Sequence, residues 1–148
     1  KNKKISTKKI TGTYHSLENL HKKSEKFQTP ETPNVLAIFL LSKVLDDMIK
    51  IGKDRIVRET NYKSALLYDT IKNHDLLSES IKNQSIQSKT VVVSNTKKES
   101  KYFINSLKNK NLIIGKGYGS VQNQIRIANF PAHSKESIEL LCDELTKL

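Results

Sequence analysis

The sequence predicts an α+β domain, a short and mainly antiparallel sheet with helices packed on one face. Three observations carry this. Thr90-Val91-Val92-Val93 is a β-branched run of the kind that fits a pleated strand. Gln124–Ala128 places Ile125 and Ile127 in alternation with polar or small neighbours, the period of a strand with one buried face. Ile138, Leu141, Cys142, Leu145 and Leu148 recur at helical spacing and form an amphipathic stripe.

The elements follow in order. Residues 1–16 are basic and polar and read as a tail or extended connector; residues 17–27 fit a short polar helix anchored by Leu17, Leu20 and Phe27. Residues 28–34 hold two of the three prolines and mark a boundary. Thr32 is the expected N-cap of the next helix and Pro33 its first residue, because the hydroxyl satisfies a free amide and proline has none to satisfy. That helix runs to about Ile51, with Leu41, Val44, Leu45 and Met48 at helical spacing and Gly52 expected to stop it. A second helix over about 54–73 is expected to be capped by Asp54 and to bury Ile56, Leu67, Tyr68 and Ile71. Residues 74–88 read as a polar loop. After the strand at 89–94, Thr96-x-x-Glu99 matches a capping box and opens a helix to about Asn109. Short strands are expected at 112–114 and at Gln124–Ala128, and Ser134 caps the last helix. No internal repeat is visible.

The chain has 148 residues, enough for one domain with a single core. Its longest uninterrupted apolar run, residues 35–41, is too short to span a membrane, which takes about 20 residues. The net charge of +11 points first to a polyanion. Lysine, however, supplies 23 of the 26 positive charges, and arginine, whose fork suits base edges and phosphates, only Arg55, Arg58 and Arg126. Residues 1–26 carry a net +6, leaving +5 for the other 122. Nucleic acid is therefore not the expected partner. Cys142 is alone, which excludes an intramolecular disulfide and a thiolate metal cluster. Without an apolar stretch behind the basic start, the reading is cytoplasmic. The missing initial methionine suggests a fragment.

Three features could carry chemistry. Gly115-Lys116-Gly117-Tyr118-Gly119-Ser120 holds three of the five glycines, but a strand follows it where a dinucleotide cradle requires a helix. A loop of this kind can still line a site. Arg126 should project from the sheet face opposite Ile125 and Ile127, beside that loop, where its fork could anchor a carboxylate; a surface salt bridge is the plain alternative. Thr29 and Thr32 place hydroxyls beside a helix N-terminus, where an anion is favoured; ordinary capping is the plain alternative. His15, His21, His74 and His133 are scattered without metal-ligand spacing. Cys142 lies on the apolar stripe of the last helix and reads as core.

Several stretches together resemble the class V aminotransferases, phosphoserine aminotransferase in particular. Thr32-Pro33-Asn34-Val35-Leu36-Ala37-Ile38-Phe39 looks like that family's TPP-x-F-x-I-Y segment, and Asn61-Tyr62-Lys63-Ser64-Ala65-Leu66-Leu67-Tyr68 lies in a stretch similar to its N-x-x-K-A-x-x-L-Y helix. Gly115 to Val121 followed by Ile125-Arg126-Ile127 resembles its glycine-rich loop and arginine-bearing strand. Asn129-Phe130-Pro131-Ala132-His133-Ser134 and an amphipathic helix resemble its ending.

The resemblance implies the C-terminal, mainly small-domain part of an aspartate-aminotransferase-like enzyme. Residues 1–28 would be a connector from the large domain and residues 29–148 the small domain. It implies pyridoxal 5'-phosphate as cofactor, amino acids and 2-oxo acids as substrates, and a homodimer for the full-length enzyme. Arg126 would bind the substrate α-carboxylate. Thr32, with Thr29 as second candidate, would reach the cofactor phosphate of the neighbouring subunit. Gly117, Tyr118, Gly119 and Ser120 would form the substrate loop. The covalent cofactor lysine would lie outside this chain, leaving it inactive alone. Two departures stand out: Glu31 where these enzymes carry asparagine, and Tyr118-Gly119 where they carry a His-Arg pair that helps hold a substrate phosphate. Alternatives left open are an alanine-glyoxylate-type transaminase, a cysteine-desulfurase-like enzyme, and a basic nucleic-acid-binding module.

Overall fold

The computed structural model describes residues 16–119 and 121–148. The expected connector at 1–15 and Ser120 of the glycine-rich loop lie outside the described residues. Compactness divides the chain into two units, Lys1–Asp47 and Met48–Leu148.

The described part of the first unit holds one helix and most of a second, which continues into the second unit. Helix α1 spans Leu17–Ser24, as the sequence predicted in outline; Ser16 caps it by accepting the amide of Asn19 at 3.1 Å. Helix α2 spans Val35–Ile51. Its cap is Asn34, whose Oδ1 accepts the Ala37 amide at 3.0 Å, not Thr32 as expected. Proline disfavours helical backbone at the residue before it, so Thr32 is held out of the helix and the next competent side chain caps it. Leu41, Val44 and Leu45 are about half exposed, and α2 buries none of its residues.

The second unit holds the core. Helix α3, Lys53–Lys72, begins at Gly52, whose φ of +89° ends α2; Asp54 sits in the first turn, where its charge suits the helix dipole, without capping. Four strands follow the order β1-β2-β4-β3, all antiparallel: β1 Leu77–Glu79, β2 Val91–Thr96, β3 Gly115–Lys116 and β4 Gln124–Ala128. The sheet therefore matches the predicted class. Strand β1 falls inside the stretch expected to be a loop, because Leu77 is drawn into the core opposite Thr96. Strand β3 starts at Gly115, just beyond the predicted 112–114, since only there can the backbone pair with Ile125 and Arg126.

Helix α4, Ser100–Lys108, does not use the Thr96 capping box. Thr96 ends β2, and its hydroxyl donates to the Lys98 carbonyl at 2.6 Å; the sheet has claimed the residue. Helix α5, Lys135–Leu145, is capped as predicted, Ser134 Oγ accepting the Ser137 amide at 3.1 Å.

Alternation divides the sheet. Val92, Ser94, Thr96, Ile125 and Ile127 are buried on one face, beneath α3 and α4, with α5 packed against both helices. Leu67 and Ile71 of α3, Phe103 of α4 and Leu145 of α5 complete the core, each completely buried. Burial on that scale stabilises by about 1.5–3 kcal/mol per large side chain. The alternate residues, Val91, Val93, Asn95, Gln124, Arg126 and Ala128, form the other, half-exposed face. No helix among the described residues is long and apolar enough to cross a membrane.

Candidate functional site

The open sheet face gathers the groups of interest. Arg126 lies at the middle of β4, in register with Val93 of β2 on one side and Gly115 of β3 on the other. Its neighbours Ile125 and Ile127 are buried, which fixes the strand and aims Arg126 away from the core. The guanidinium runs alongside Gly115: a Cβ there would stand 3.3 Å from both Nε and Nη2. Tyr118 completes the arrangement, its ring centroid 4.4 Å from Arg126 Cζ.

No carboxylate among the described residues pairs with Arg126. The exposed arginine Arg55, by contrast, is paired with Glu59, its Nε 2.8 Å from the carboxylate. A half-buried guanidinium whose N–H donors have no acceptor among the described residues is a ready site for an anion with two coplanar oxygens.

The loop is shaped by close approach. A Cβ on Gly117 would fall 2.5 Å from Gln124 Cβ, so the backbone can pass only without a side chain. That passage lets the Gly117 amide donate to the Gln124 carbonyl at 2.8 Å. Gly119 follows with φ +61°. Beside Arg126 on the same face, Gln124 Nε2 donates to Asn95 Oδ1 at 3.0 Å, and Ser80 Oγ donates to the same oxygen at 3.0 Å. Arg126, Tyr118 and these neutral polar groups therefore share one surface.

The end of β4 is tied to α3 by two residues that spacing alone did not single out. Asn129 is completely buried; its Nδ2 donates to the carbonyls of Thr60 at 3.2 Å and Lys89 at 2.8 Å, while Oδ1 has no partner among the described residues. Lys63 is 2% exposed, and its Nζ donates to the carbonyls of Phe130 at 3.2 Å and His133 at 2.6 Å. Burial pushes the Lys63 ammonium below the usual lysine range, and Glu59 opposes that. One lysine among 23 carries no local signal of burial; only its position on the inward face of α3 could have found it.

The remaining predicted groups lie elsewhere. Thr29 and Thr32 belong to the first unit and are exposed. Thr29 Oγ1 donates to the Glu31 carbonyl at 2.5 Å, whereas the Thr32 hydroxyl makes no hydrogen bond among the described residues. Cys142 is buried on α5, and burial pushes its thiol up, as its core reading requires. His74 Nδ1 accepts the Leu76 amide at 3.0 Å, which leaves Nε2 to donate to the Leu145 carbonyl at 3.0 Å. A cleft of about 370 Å³ against α3, lined by Asn61, Tyr68, Asp69, Lys72 and Glu79 among others, does not include Arg126.

Comparison with known proteins places this geometry. No family model matches the chain, and no curated sequence is significantly similar to it. Solved structures do match. A phosphoserine aminotransferase from Cytophaga hutchinsonii superposes with a TM-score of 0.82 at 39% identity, over 92% of this chain and 38% of that one. A phosphoserine aminotransferase from Bacillus circulans subsp. alkalophilus gives 0.74 at 19% identity, over 88% of this chain and 36% of that one. An alanine–glyoxylate aminotransferase from Nostoc sp. gives 0.65 at 16% identity, over 90% and 34%. The last two establish the shared fold. The chain spans little more than a third of the length of these proteins, and it resembles phosphoserine and class V aminotransferases throughout most of its own.

Proposed function

We propose that this chain is the C-terminal, small-domain part of a pyridoxal-phosphate-dependent aminotransferase in which Arg126 anchors the α-carboxylate of the amino donor. The observation that carries the reading is the Arg126 fork on the open sheet face, without a carboxylate partner among the described residues, and the 39% identity to a phosphoserine aminotransferase over 92% of the chain supports the class. Phosphoserine is the first candidate donor on the same ground, with a 2-oxo acid as acceptor.

The chain's own residues divide the work. Arg126 would bind both carboxylate oxygens through charge-assisted hydrogen bonds and so fix the orientation of the amino acid. Gly117, Tyr118 and Gly119 would form the wall beside it. In a cytoplasmic homodimer, Thr32, whose hydroxyl makes no hydrogen bond among the described residues, would hold the cofactor phosphate of the neighbouring subunit, with Thr29, bonded to the Glu31 carbonyl, as second candidate. Bound pyridoxal phosphate supplies the electron sink for the amino-group transfer. The buried lysine of this chain does not fit a covalent role toward it, since Lys63 Nζ is committed to two main-chain carbonyls. The chain alone is accordingly proposed to be inactive, with the covalent lysine supplied by the portion of the enzyme it does not span.

The test uses the full-length enzyme. Arg126→Ala should raise KM for the amino donor by about 10- to 100-fold, the worth of a lost charge-assisted pair, with kcat changed less. Unchanged kinetics would remove Arg126 from the site. Turnover of phosphoserine against alanine and serine decides the donor. Transamination by the 148-residue chain alone would overturn its proposed inactivity.

A further inference from the structure

Resting on that reading of Arg126, we infer that Tyr118 is its positioning residue, holding the guanidinium so that only a planar anion approaching its free edge is well bound. Four observations support this. The Tyr118 ring lies over the guanidinium, its centroid 4.4 Å from Cζ, within cation–π range. Gly115 admits the Nε and Nη2 atoms alongside β3, at a separation that even one methyl group would crowd. The side chain has no acceptor among the described residues to hold it by hydrogen bonds, so ring and backbone contacts do that alone. Tyr118 is itself 59% exposed, so its place over Arg126 owes little to core packing.

The consequence is selectivity by shape. An arginine on an open sheet face would otherwise sample many rotamers, and each must be given up when a ligand binds. With one face of the guanidinium covered, that loss is taken before the ligand arrives. The remaining edge presents parallel N–H donors, which match a carboxylate. Around it stand Gln124, Asn95 and Ser80, all uncharged, so Arg126 is the only charge on this face of the described strands. The site thus takes a singly charged, planar group.

The experiment is side-chain NMR on the 148-residue chain, which has only three arginines. Arg126→Lys identifies the Arg126 Nε–Hε resonance by its loss. That resonance should be shifted by the Tyr118 ring relative to those of Arg55 and Arg58. Tyr118→Phe should keep the shift, because the ring remains, and Tyr118→Leu should abolish it. Gly115→Ala, which crowds the guanidinium, should displace it with the ring intact. Sodium acetate should move the Arg126 resonance, and Tyr118→Leu should weaken that response about two- to fivefold while Tyr118→Phe restores it. A resonance unmoved by Tyr118→Leu, or an acetate response equal in the two proteins, overturns the role of Tyr118 and leaves the carboxylate anchor standing. A ring shift without any acetate response overturns the anchor, and the positioning role with it.

Discussion

Lys63 Nζ lies 2.6 Å from the main-chain oxygen of His133, a bond that crosses 70 residues of sequence to fasten the turn after β4 onto α3. The ammonium is buried and therefore below its ordinary value of 10.5. The unfolded chain then holds more protons than the folded one between the lowered value and 10.5, so this group makes stability rise with pH across that interval. Tyr62 and Tyr68 act oppositely in the same range. The bond to Glu139 raises the Tyr62 hydroxyl and burial raises that of Tyr68, so each favours the folded state less as pH climbs through the tyrosine range. The difference between the wild type and Lys63→Met isolates the lysine. Urea unfolding should find the variant about 1–3 kcal/mol less stable at neutral pH, from two carbonyls left without their donor. The deficit should widen as pH rises toward 10.5. A deficit constant with pH would refute the buried-ammonium argument.

Asn129 is the second fastening. Asn129→Ala removes donors from the carbonyls of Thr60 and Lys89 and opens a small void. A loss of about 2–3 kcal/mol is expected in urea unfolding. Asn129→Asp should be worse, because it places a charge where Oδ1 already has no partner among the described residues. Equal stability of the aspartate and asparagine proteins would contradict the burial of that side chain.

Gly117 tests the loop. Alanine there must displace Gln124, whose Cβ would be 2.5 Å from the new methyl. Overcrowding of this kind costs about 1–3 kcal/mol, and the amide of residue 117 should lose protection from hydrogen exchange as its bond to the Gln124 carbonyl opens. Retained protection would mean that the hairpin accommodates the methyl.

Cys142 separates an aminotransferase from a sulfur-transferring relative of the same fold. A thiol buried in α5 with its ionisation pushed up should react with a disulfide reagent only as fast as the helix opens. Titration should give one thiol in denaturant and far slower reaction in the native protein. Prompt native reaction would restore the thiol as a nucleophile.

The sheet face of Arg126 was legible because alternation leaves no choice once Ile125 and Ile127 are buried. The α5 stripe and its Ser134 cap were legible for the same local reason. Caps elsewhere were not, because neighbouring residues compete for one role: Asn34 displaced Thr32, and the sheet took Thr96 before a helix could. Strand β1 has three residues, too few for a periodic signal, and forms only because β2 is there to pair with. The stacking of Tyr118 on Arg126 depends on how the loop folds back, which no spacing encodes. Helix α2 was legible as a helix, but not its exposure. Its apolar residues specify that something must cover it, and nothing local says what.

That helix governs how the chain behaves as a substance. The sheet edges, β1 and β3, have three and two residues and offer little backbone for another strand to add to. Val35, Leu36, Ile38 and Phe39 are all more than half exposed. Self-association, retention on hydrophobic resins and capture by holdase chaperones should therefore run through a helical surface rather than through strand exchange, and should ease with dilution and mild detergent.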